Sequence, residues 1–160
     1  MVDHEAPAGR RVNVVGAWAP FDPAGPRLVF ATHRSDEAKY DAAAHLQFVE
    51  HDVAGLPEHR AEGACRTRPC VIVLDNYAVH HASIVKERVP ALQAAGVRFF
   101  FLPPYSPELN LIEPLWRQLK HQDLPHRSFL TLDELHGAVT TALRTRAQSC
   151  QTTNSLCRSA

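Results

Sequence analysis

The chain has no apolar run near the ~20 residues that span a bilayer, which excludes a membrane-crossing helix. No apolar segment follows a basic start in the opening MVDHEAPAGRR, so a secretory signal is not expected. There are only four cysteines, Cys65, Cys70, Cys150 and Cys157. Neither close pair has the C-x2-C spacing of a zinc knuckle. They read as free thiols in a reducing, cytoplasmic setting, because 160 residues can build a core without disulfides. Charge of one sign is not in excess: Lys plus Arg and Asp plus Glu are 17 each. The imbalance is local, a net −4 over residues 1–64 and a net +3 over residues 114–160, so the last third is the better candidate to meet a polyanion. The sequence also lacks G-x-S-x-G, a P-loop and H-E-x-x-H. What is present, 45 % apolar and 21 % charged residues, is the composition of a globular domain rather than a disordered chain.

Strands are expected at 11–18 (RVNVVGAW) and 26–32 (PRLVFAT), joined through PFDPAGP as a hairpin-like connection. Residues 36–52 predict a helix capped by Ser35 or Asp36. Residues 70–74 (CVIVL) and 97–102 (VRFFFL) are short continuous apolar runs, as in strands buried on both faces. Between them, 78–95 predicts a helix with a break at Pro90, and Gly96 a turn. The prolines of 103–107 (PPYSP) exclude both helix and central strand. Ile112, Leu115, Trp116 and Leu119 form a helical stripe, and Leu132, Leu135, Val139 and Leu143 another, with Thr131 as its cap. From 145 onward large apolar groups are few, so a disordered tail over 145–160 is expected, behind a domain over 1–144. Strands alternating with helices point to an α/β fold.

Asp75 and Asn76 directly follow the 70–74 strand, where α/β proteins commonly present ligands. The ordinary alternative is that one of them caps the next helix. Glu113 stands just past the proline-rich loop. Its ordinary uses are a capping box with Asn110 and an ion pair with Arg117. Pro114 argues against the capping box, since the helix more readily begins at the proline. Two carboxylates, one from a strand end and one from a helix start, could share divalent metal, with a further carboxylate normally required. His80 or His81 could approach a phosphate or a metal-bound water, or serve as a hydrogen-bonded structural residue. Trp116 reads as core.

Three stretches carry a resemblance. They are Leu74-Asp75-Asn76-Tyr77-Ala78-Val79-His80, then Leu102-Pro103-Pro104-Tyr105-Ser106-Pro107-Glu108-Leu109-Asn110-Leu111-Ile112-Glu113-Pro114-Leu115-Trp116, then Leu119-Lys120. Together they resemble the DDE superfamily endonuclease domain of bacterial insertion-sequence transposases related to mariner elements. The resemblance implies a ribonuclease-H-like mixed sheet flanked by helices. It implies Asp75 and Glu113 as catalytic, metal-binding carboxylates, and supporting roles for Asn76, His80, Tyr105 and Asn110. It also implies two Mg2+ (or Mn2+) ions, and DNA partners in the form of transposon ends and target.

Two departures from the family pattern shape the expectation. Leu111 replaces a proline. The family's first catalytic Asp lies on an opening strand ahead of the stretch matching 11–18, and neither Asp3 nor Asp22 fits it; the helix-turn-helix region is likewise missing. This reads as a domain truncated at its N-terminus, lacking its central strand and inactive alone. Such a strand buries about five apolar side chains at ~1.5–3 kcal/mol each, comparable to the ~5–15 kcal/mol net stability of a domain. A rearranged pairing of 11–18 or a marginal fold is expected, with a homodimer or a complementing N-terminal chain as partner. The alternative function is a non-catalytic remnant that binds DNA or the full-length transposase.

Overall fold

The computed structural model describes residues 11–37, 39–57, 66–125 and 128–157, with 151–157 by their backbone alone. Asp3 and Cys65 lie outside the described residues. The chain forms two compact units, Met1–Lys39 with Leu115–Ala160, and Tyr40–Pro114.

In the first unit, β1 (Val12–Ala19) and β2 (Arg27–Arg34) pair antiparallel, with Val12 opposite Arg34 and Ala19 opposite Arg27. The turn between them is closed by Asp22, whose Oδ1 accepts from the Ala24 N–H at 2.9 Å. Asp22 is therefore a turn residue. The last helix, α4 (Leu132–Cys157), packs on β2 and buries Val139, Ala142 and Leu143, while Leu28 is buried on β2. Its start is built as expected: Thr131 Oγ1 accepts from the Glu134 N–H at 3.1 Å, and the Glu134 carboxylate accepts from the Leu130 N–H at 3.0 Å. Its end is not. The helix runs past 144 through Cys157, so the tail expected from 145 is helical over 145–157. No Gly or Pro interrupts this stretch, and Arg146 makes a forked ion pair with Asp123 at 2.6 to 2.9 Å. Helix α3 (Glu113–Gln118) and the π-helical turn Leu119–Asp123 bury Leu115 and Leu119 of the expected stripe; Trp116 is half-buried.

The second unit is a β-α-β arrangement. Strands β3 (Cys70–Leu74) and β4 (Val97–Phe101) pair parallel, with Ile72 opposite Phe99, and α2 (Ser83–Ala94) lies between them in sequence and packs on β4. Gly96 makes the turn from α2 into β4 at a φ of 82°, which a residue with a Cβ adopts only at a cost. Helix α1 (Ala42–Gln47) continues into a π-helical segment, Phe48–Val53. Leu46, Val49, Ile72, Leu74, Val85, Leu92 and Val97 pack together as the core of this unit. Each such side chain, taken fully from water, contributes ~1.5–3 kcal/mol.

Three expectations are corrected here. The first helix starts at Ala42 rather than 36, because Asp41 is the cap: its Oδ1 accepts from the Ala44 N–H at 2.9 Å. Asp36 is instead held by the Arg34 guanidinium. Pro90 does not break α2; the helix loses only the bond to the Lys86 carbonyl, and Val85 and Leu92, buried on either side, hold it in register. Finally, β3 and β4 are buried on one face only. Ile72 and Leu74 are covered, but Val71 and Val73 on the other face are 62 % and 50 % exposed, and Phe100 beside them is 58 % exposed. The described chain is thus mixed α/β, with one antiparallel and one parallel two-stranded sheet and flanking helices.

Candidate active site

The parallel pairing sets the site, because both strands end on the same side and their following loops meet there. The ladder continues one step past the strands, where the Leu102 N–H donates to the Leu74 carbonyl at 2.8 Å. Asn76 closes it, its Nδ2 donating to the Leu102 carbonyl at 2.8 Å. The start of the proline-rich loop is thereby tied to the residue next to Asp75.

Asp75 leaves β3 with its carboxylate half exposed. Its Oδ1 accepts from the Tyr77 N–H at 3.0 Å, an Asx turn, and faces His80 Nδ1 at 3.1 Å. His80 Nδ1 is also 3.0 Å from the Asp75 carbonyl. The helical turn Ala78–His81 takes Tyr77 as its cap residue with no side-chain bond, so neither Asp75 nor Asn76 caps it. His81 is exposed and its ring stacks on Phe101, with centroids 4.7 Å apart and planes at 23°.

Tyr105 sits in the loop with a φ of 58°, the left-handed region that is unusual for a bulky residue, and its side chain is fully exposed. Asn110 ends the short helical turn Pro107–Leu109, and its carbonyl accepts from the Glu113 N–H at 3.0 Å, which starts α3. Glu113 is the first helical residue and Pro114 the second, one position from the expected start. The Asn110 side chain faces the Ile112 N–H at 3.5 Å rather than Glu113, so no capping box forms. Among the described residues, Glu113 makes no ion pair with Arg117. Its carboxylate is not consumed by either ordinary use. Asp75 and Glu113 belong to the same compact unit. Among the described residues no three His, Cys, Asp or Glu side chains are grouped closely enough to hold a metal ion.

One residue at the site escaped the sequence reading. His45 of α1 is 2 % exposed, and its ring lies against that of His80 with centroids 4.7 Å apart. Its Nδ1 is 3.0 Å from the Tyr40 hydroxyl, while its Nε2 is buried with no partner among the described residues. Loss of hydration, aided by repulsion from His80, pushes its pKa down to about 4, so the ring is neutral near pH 7. The signal was its position: with Ala42, Leu46 and Val49 it occupies the inward face of the helix.

A parallel β-α-β unit with polar side chains collected beyond its strand ends defines an α/β protein whose candidate site lies at the carboxyl edge of the sheet. The family model of the DDE superfamily endonucleases matches residues 3–136, and the chain belongs to that family. No curated protein matches it. The mixed α/β architecture is consistent with a ribonuclease-H-like fold. The family is one of nucleases of the transposase type, acting on DNA and generally using divalent metal ions.

Proposed function

We propose that this chain is the catalytic domain of a transposase, cleaving transposon-end DNA by hydrolysis and joining the freed 3′-hydroxyl to target DNA. The observation that carries the reading is Asp75. It stands at the carboxyl end of a parallel strand, one oxygen held by Tyr77 and His80 and the other without a partner among the described residues, in a chain of the DDE superfamily. Asp75 and Glu113 are the carboxylates that would hold Mg2+ or Mn2+, two ions in the intact site; hard oxygen donors suit these cations. Such ions would supply the Lewis acidity that activates a water or a 3′-hydroxyl and that stabilises charge on a leaving oxygen, with Asp75 and Glu113 as the residues holding them. Asn76 and Asn110 brace the loops that carry the two carboxylates. The exposed Tyr105 ring is available to stack on DNA.

The described residues offer two candidate carboxylates, and a third ligand is the expected requirement of such a site. We infer that another chain, either a complementing N-terminal segment or a second copy, supplies it. The open side of β3 supports this: among the described residues its one strand partner is β4, and on one face of the pair Val71 and Val73 are exposed. Parallel sheets are almost always covered on both faces. The second reading is a non-catalytic remnant that binds DNA or the full-length transposase; that no three metal-ligating side chains are grouped among the described residues favours it.

The test is nicking and strand transfer on duplexes carrying the element's ends, with Mg2+. Activity that is lost in both Asp75→Asn and Glu113→Gln carries the catalytic reading. Salt-dependent DNA binding with no cleavage, alone or after addition of an intact transposase, carries the second.

A further inference from the structure

We propose that His45 and His80 act as a stacked positioning pair that fixes the orientation of the Asp75 carboxylate. The proposal rests on the reading of Asp75 as a site carboxylate and adds the residues that hold it.

His80 Nδ1 lies 3.0 Å from the Asp75 carbonyl and 3.1 Å from Asp75 Oδ1. Both are acceptors only, so Nδ1 must carry the proton. One N–H thus grips the backbone and the side chain of the same residue. With the Tyr77 N–H, it gives Oδ1 two donors, and among the described residues Oδ2 has none. A carboxylate held in this way by one oxygen presents the other in a single orientation. That is how an outer partner prepares a ligand for a metal or a reacting group.

The His80 ring needs its own support, because a grip shared between two acceptors depends on its plane. His45 supplies it, packed at 4.7 Å and 38° to His80, with the Tyr77 ring edge-on to His80 at 6.0 Å. His45 is in turn fixed by the Tyr40 hydroxyl at 3.0 Å. An apolar side chain would fill the His45 position without leaving a buried nitrogen unpaired, as Nε2 is here. The imidazole is therefore not explained by core packing alone.

The experiment uses the whole chain, 15N-labelled. Long-range 1H–15N correlation reads the His80 tautomer near pH 7.5. The Nδ1–H form is expected in the parent chain and in His45→Phe, which retains a flat ring, and a mixture of both tautomers in His45→Ala. A parent chain in the Nε2–H form, or a His45→Ala chain that keeps Nδ1–H undiminished, overturns the proposal. If His45→Ala does not fold, the parent spectrum and Tyr40→Phe decide, the latter expected to broaden the His80 resonances. Mn2+ titration provides the separate arm, read as paramagnetic broadening of amides near Asp75. His80→Leu is expected to raise the Mn2+ midpoint roughly tenfold or more. His80→Gln, whose amide N–H reaches the same oxygens, is expected to recover part of it. Equal midpoints in the parent and His80→Leu overturn the proposal. An Nδ1–H tautomer with no Mn2+ broadening in the parent upholds the pair and instead sinks the metal reading.

Discussion

The Asn76 amide reaches across the end of the parallel sheet and donates to the Leu102 carbonyl at 2.8 Å. This one bond joins the segment after β3 to the segment after β4, which are 26 residues apart in sequence. Asn76→Ala is expected to destabilise the chain by ~0.5–1.5 kcal/mol. The more specific effect is local: cleavage by a broad-specificity protease within residues 103–109 should accelerate. Unchanged cleavage there, with equal global stability, would mean that the loop is held by other contacts.

The one-sided burial of β3 makes two adjacent residues behave differently. Ile72→Ala opens a space in the core and is expected to cost ~2–5 kcal/mol in urea denaturation. Val73→Lys, on the exposed face, is expected to change the stability of the chain without a partner by no more than about 0.5 kcal/mol and to raise its solubility. A large loss at Val73 would show that this face is covered in solution.

Burial of His45 sets a pH dependence. Its folded pKa, about 4, is below the ordinary 6.5, so the unfolded chain binds more protons between these values. Stability is therefore fully present above about pH 6.5 and is lost as pH falls toward 4, by an amount on the order of 3 kcal/mol. Denaturation midpoints for the parent and His45→Phe across this range check it. The variant should lack this component, and parallel profiles would refute the assignment.

Pro90 lies exposed within α2, where it removes a helical bond. Pro90→Ala is expected to stabilise the chain by ~1–3 kcal/mol, less the entropy that proline removes from the unfolded state. A calorimetric melt at higher temperature than the parent is the expected result.

Much of this was legible from local rules. Alternation and turn residues placed β1 and β2, and the Thr131 cap and the CVIVL and VRFFF strands were found where expected. The errors arose where partners distant in sequence decide. Arg34 holds Asp36, which left Asp41 to start the first helix. Asp123 holds Arg146, where a polar stretch was expected to be disordered. His45 shares the inward helix face with Ala42, Leu46 and Val49, but position on that face does not by itself tell a buried imidazole from one that reaches solvent.

By itself the sequence determined the α/β alternation, the residues after each strand and the family pattern around Asp75 and Glu113, since these depend on side-chain period, backbone constraint and order along the chain. Only the tertiary structure decided that the parallel strands cover one face and leave Val71 and Val73 in water, and that His45 and His80 stand behind Asp75. Exposure and contact depend on which distant segments pack together, and no local pattern encodes that choice.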